Sequence, residues 1–130
     1  MDRTVSLALP PEPESVRQAR TWVRACCGAW LIPAGVADDA VLLASELVGN
    51  AVLHGRSPLE LRLQLGRGVL RIEVYDEDAR LPSPTVPNAD ALGGRGLQIV
   101  AGMSRSWGAD PVPGGKLVWC EVSLLPATAR

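Results

Sequence analysis

The sequence has no phenylalanine, one histidine and one tyrosine among its 130 residues. A lone histidine and three cysteines, none in a CxxC pair, exclude a zinc ribbon or finger. Cys26 and Cys27 are adjacent and point to different sides of a helix, and with Cys120 they make an odd number, so the three read as buried, reduced thiols. An excess of basic charge is missing too: 13 Lys and Arg stand against 14 Asp and Glu, twelve of the 13 being scattered arginines. That excludes the electrostatic footprint of a nucleic-acid binder. No apolar run is long enough to cross a bilayer. The opening "MDRTVSLALPPEPESV" meets acids and prolines before a signal-length apolar stretch can form. The expectation is a cytoplasmic protein with no membrane partner.

With 47% hydrophobic and 21% charged residues, the composition is that of a globular protein, and the length suits one domain over residues 1–130. "RTVSLAL" alternates as a half-buried strand and is stopped by "PPEPE". Ser15 is placed to cap a first helix, "VRQARTWVRACCGAWL", and a longer one follows over "GVADDAVLLASELVGNAVLH". "LELRLQL" and "GVLRIEVYD" alternate in register around "GRG", the pattern of a β-hairpin. Residues 77–94 hold three prolines and little periodicity, which suits a lid. "RGLQIVAGMSR" is helical again, "WGADPVPGG" turns, and "KLVWCEVSLL" closes as a strand. Trp22, Trp30, Trp107 and Trp119 supply the core with the bulk that phenylalanine would otherwise give. The order β-α-α-β-β-loop-α-β-β indicates a two-layer α+β sandwich, helices gathered on one face of a mixed, mainly antiparallel sheet.

The second helix carries an unexpected column. Glu46, Asn50 and His54 stand four residues apart, on one side of the helix. At 100° per residue, Asp39, Leu42, Leu43, Glu46, Asn50 and Leu53 form one stripe, and Ala37, Val41, Ala44, Val48 and Ala51 form the opposite, core-facing one. An amphipathic helix with a solvated outer face explains the polar members, but it wastes the leucines among them. A ligand covering the stripe would use both: an amide oxygen can hold Mg²⁺, and a carboxylate one turn earlier can orient a hydroxyl for attack on a phosphoryl group. His54 reads as a structural histidine at the helix end.

Two further stretches carry chemistry. Asp76 ends the strand in "VYDEDARLP", where a carboxylate can accept a hydrogen bond from an exocyclic amine such as adenine's. "GGRGL" sets Gly93, Gly94 and Gly96 before a helix, with Arg95 as a counter-charge for phosphate. Each also has a plain structural explanation, as an Asp entering a turn and as glycines permitting one.

Taken in order, the E-x-x-x-N helix, strand-end Asp, Pro-containing loop, G-x-G-L and final strand resemble the histidine-kinase-like ATPase superfamily, whose fold is the Bergerat α+β sandwich. "SELVGNAVLHG", "GGRGLQIV" and "WG…GGKLVW" are similar to the anti-sigma factor serine/threonine kinases within it. The resemblance implies Glu46 as catalytic base and Asn50 as Mg²⁺ ligand in the cofactor site. It implies Asp76 as adenine contact, and Gly94, Arg95, Gly96 and Leu97 as phosphate-binding lid. It implies ATP and Mg²⁺ as cofactors, a sigma factor and an anti-sigma antagonist as partners, and allows a homodimer. Two departures stand out. The family's D-x-G-x-G is here Asp76-Glu77-Asp78-Ala79-Arg80, with no glycine to let the backbone pass the base closely. Where the family often has a threonine beside the adenine, "GGKLVW" has Lys116 and Leu117, which by this reading leaves Asp76 without its helper. The alternative is a non-catalytic regulatory protein-binding module of the same fold, with weak or no nucleotide binding.

Overall fold

The computed structural model describes residues 2–54, 57–78 and 91–125, and of residues 54 and 91–96 the backbone alone. The chain runs β1 (Arg3–Leu9), α1 (Glu14–Ala29), α2 (Ala34–His54), β2 (Leu59–Gly66), β3 (Val69–Asp76), α3 (Ala91–Met103), β4 (Ser106–Val112) and β5 (Gly115–Ser123). This is the expected order of elements. The sheet order is β1-β2-β3-β5-β4, and every pairing is antiparallel, so the expected mixed sheet is corrected to a wholly antiparallel one among the described residues.

The β2–β3 turn works because Arg67 and Gly68 both take positive φ, 56° and 73°, the two-residue geometry whose twist matches a hairpin. Their strands bring apolar rows onto one face. Leu65, Leu70 and Val122 align across β2, β3 and β5, then Leu63, Ile72 and Cys120, then Leu61, Val74 and Val118. Most of these side chains are fully buried beneath the helices. Helix α2 lies centrally, in contact with α1, α3, β3 and β5, which is why it is apolar on more than one side. Ala40, Leu43, Ala44, Leu47 and Val48 are all buried. Leu43 therefore belongs to the core and not to the outer stripe, whereas Leu42 and Leu53 each remain 39% exposed.

Three local readings are corrected. Ser15 lies inside the first turn of α1, where its hydroxyl donates to the Pro10 carbonyl at 2.6 Å and does not cap the helix. "WGADPV" is the edge strand β4, and only Pro113 and Gly114 turn, with Gly114 at φ 84°. An edge strand tolerates Pro111 because one side of its ladder is unpaired. Trp119 lies on the sheet face away from the helices, while Trp22, Trp30 and Trp107 pack against the core as expected. All three cysteines are free thiols, and burial pushes Cys27 up to about 11 and Cys120 up to about 12. Among the described residues no helix is long and apolar enough to cross a membrane.

Candidate functional site

The apolar rows of the sheet end in a charged one. Asp76 and Lys116 are cross-strand partners at the ends of β3 and β5, in the same register and on the same face as Val74 and Val118. Both side chains are almost completely buried, 2% and 4% exposed, and the Lys116 Nζ donates to Asp76 Oδ1 at 2.9 Å. Buried opposite charges are expensive to desolvate, so such a pair persists only where geometry and further hydrogen bonds support it. Here they do: the Asp78 amide donates to the same Asp76 Oδ1 at 2.8 Å, and Nζ donates also to the Asp78 carbonyl at 2.7 Å. Gly115 allows the close approach, since a Cβ there would run into the Asp76 carbonyl oxygen. Lys116, the residue expected to leave Asp76 without a helper, is its hydrogen-bond partner.

The other carboxylate oxygen, Asp76 Oδ2, is buried and has no hydrogen-bond partner. It is the one such side-chain atom among the described residues. A buried acceptor left unmatched costs on the order of 1–3 kcal/mol, so its presence at a strand end asks for a donor from beyond the described residues. An exocyclic amine fits that demand.

Glu46 and Asn50 sit on successive turns of α2, both half-buried. The helix packs on β3 and β5, the strands that carry Asp76 and Lys116 on their covered face. Burial pushes the Glu46 carboxyl above its ordinary value of 4.5, and the charge of Arg20 on α1 opposes that. A raised carboxylate is a stronger base, which suits the role expected of it. No hydrogen bond joins the Asn50 amide to another described residue, and an amide oxygen is a suitable ligand for a hard cation. No cluster of three or more His, Cys, Asp or Glu forms a metal cage among the described residues. The donor set is one that would hold Mg²⁺ only together with phosphate oxygens.

The glycine-rich stretch is placed differently from expectation. Residues 93–96 lie within α3, not before it. The first four N–H groups of a helix lack internal partners, which here takes in Gly94 and leaves those of Arg95 and Gly96 inside the helix. Leu97 is buried, and Val100 joins α3 to the core. Most of the expected lid, 79–90, and the side chain of His54 lie outside the described residues.

Residues 9–121 match the histidine kinase-like ATPase domain family, and the chain belongs to it. Membership implies ATP as the ligand class. In three dimensions the chain is similar to the crystal structure of the RsbU and RsbW domains of Rv1364c from Mycobacterium tuberculosis. The TM-score is 0.73 over 93% of this chain and 32% of that one, at 18% identity, a likeness of fold. The family match bears out the superfamily resemblance drawn from the sequence, and the structural likeness bears out its fold. The chain is also 31% identical over 81 residues to a Pseudomonas aeruginosa protein named as functional amyloid subunit FapE, covering 61% of this chain and 32% of that one. It thus spans about a third of the length of each of these two relatives.

Proposed function

We propose that residues 1–130 form one ATP-binding regulatory domain of the anti-sigma-factor type, with residues 77–94 as its lid. It acts in the cytoplasm on a sigma factor and on an anti-sigma antagonist, whose serine or threonine it phosphorylates. The observation that carries the reading is the buried, partnerless Oδ2 of Asp76 in a chain of an ATPase-domain family. In this reading Asp76 holds the adenine amine and Asn50 holds Mg²⁺. Gly94, Arg95, Gly96 and Leu97 belong to the phosphate-binding segment. Bound ATP would supply its γ-phosphoryl group to the serine or threonine hydroxyl, the bond to the β-phosphate breaking and ADP leaving. Glu46 orients the attacking hydroxyl and accepts its proton at a carboxylate oxygen.

A second reading keeps the nucleotide and the partners but omits the transfer. It is favoured by Asp78, which stands where the family has glycine and whose backbone is tied on both sides to the Asp76–Lys116 pair. Single-turnover transfer from labelled ATP to the cognate antagonist decides between them. Wild type is expected to outpace Glu46→Gln while the two bind ATP equally. Equal rates leave the binding module standing.

A further inference from the structure

Lys116 is the chain's only lysine, in a sequence that otherwise uses arginine for positive charge. It is also placed where an arginine would not serve. A guanidinium is a planar fork, whereas an ammonium is compact and donates in three directions. Two of those directions are taken, by Asp76 Oδ1 and the Asp78 carbonyl. The third donor has no partner among the described residues and belongs to the same buried row as the partnerless Asp76 Oδ2. The row thus presents an acceptor next to a donor. That is the complement of an adenine edge, on which the exocyclic amine donates and the adjacent ring nitrogen accepts.

We infer that Lys116 is the second base-reading residue of this site: Asp76 Oδ2 accepts from the exocyclic amine while the Lys116 ammonium donates to the neighbouring ring nitrogen. The inference rests on the nucleotide reading above and adds to it the residue that distinguishes a base with that ring nitrogen from one without it. The ammonium does not compete with the base for Asp76, because it occupies Oδ1 and leaves Oδ2 bare. The site also differs from a neutral hydroxyl helper, since a charged donor forms the stronger hydrogen bond.

The test is a cycle in which residue and ligand are each trimmed by one group. Calorimetry compares ATP with 1-deaza-ATP, in which a carbon replaces that ring nitrogen, on wild type and on Lys116→Met. Wild type is expected to lose about tenfold to a hundredfold in affinity for the deaza analogue, the size of one charge-assisted hydrogen bond. Lys116→Met is expected to bind both nucleotides equally, at about the level of wild type with the analogue. A deaza penalty of the same size in both proteins overturns the inference, as does tighter ATP binding by Lys116→Met, which would make the ammonium a competitor. Absence of ATP binding by wild type would overturn the nucleotide reading itself, a result distinct from either. Should Lys116→Met not fold, wild type labelled with ¹⁵N-lysine gives one side-chain ammonium signal. It should shift with ATP and not with 1-deaza-ATP, and equal responses overturn the assignment.

Discussion

Strands β3 and β5 pair opposite charges on both of their faces, and the two sets differ in what is left over. On the open face, both oxygens of Glu73 are met, by Arg62 at 3.4 Å and Arg71 at 2.6 Å. Those of Glu121 are met by Arg71 at 2.9 Å and the Ser106 hydroxyl at 3.2 Å. Arg71 lies 4.2 Å over the Trp119 ring, and the Trp119 indole donates to Asp110 at 3.0 Å. That network is complete, and although Glu73 is buried, its partners Arg62 and Arg71 keep 41% and 26% exposure. On the covered face the Asp76–Lys116 pair is dry, has two donors on one carboxylate oxygen and none on the other. A satisfied network needs nothing but the fold, whereas an incomplete one in a dry place persists because something else completes it.

The comparison is broken most severely at Asp76. Asp76→Ala strands a buried ammonium, so urea unfolding should show a loss of about 3–5 kcal/mol, and ATP binding should vanish. Adding Lys116→Met to that variant should recover most of the stability and none of the binding. On the open face, Glu73→Gln should cost less, about 1–2 kcal/mol by the same measurement, and leave ATP affinity unchanged, because the arginines it leaves behind keep 41% and 26% exposure and can turn to water. Equal losses on the two faces would erase the distinction.

Smaller still is the effect at Leu31, which is 88% exposed and holds φ 58° after α1, in the left-handed region that favours glycine. Its amide bonds the Gly28 carbonyl, and that of Ile32 bonds Cys27, the hydrogen bonds of a Schellman end. Leu31→Gly should raise stability by up to about 1 kcal/mol in thermal unfolding, with ATP affinity unchanged. Smallest is a pH effect at Glu46. Its raised folded value means that the native state binds the proton more tightly than the unfolded chain, so ionising it costs stability. Wild type should match Glu46→Gln below pH 4.5 and fall slightly behind as pH rises above that ordinary value, the gap levelling off beyond the raised one. A gap that opens towards acid instead would contradict the assigned direction.

Much of this architecture is written in local pattern. The alternation flanking "GRG" yields the hairpin, the helical spacing of Glu46 and Asn50 sets them on one side, and Asp76 is recognisable as the end of a strand. What local pattern does not carry is pairing between distant segments. Lys116 reaches Asp76 across 40 positions by strand register, and read along the chain it only opens the closing strand. Ser106–Val112 is hidden because Gly108 and Pro111 are poor strand formers. Gly108 is accepted there because Trp119 lies against it, within 2.7 Å of where a Cβ would sit. The angle of the helix alone points Leu43 outward, because it carries no information on the neighbours that surround α2 on several sides.

The central claim is that the unmatched oxygen of Asp76 is the nucleotide's anchor. Calorimetric titration of Mg-ATP into wild type and into Asp76→Asn, with folding of both checked by circular dichroism, tests it directly. The account predicts saturable heat for wild type and none for a folded Asp76→Asn, whose amide cannot supply the same charged acceptor while facing Lys116. Silence from wild type at millimolar Mg-ATP, or equal affinity in the two proteins, would contradict it.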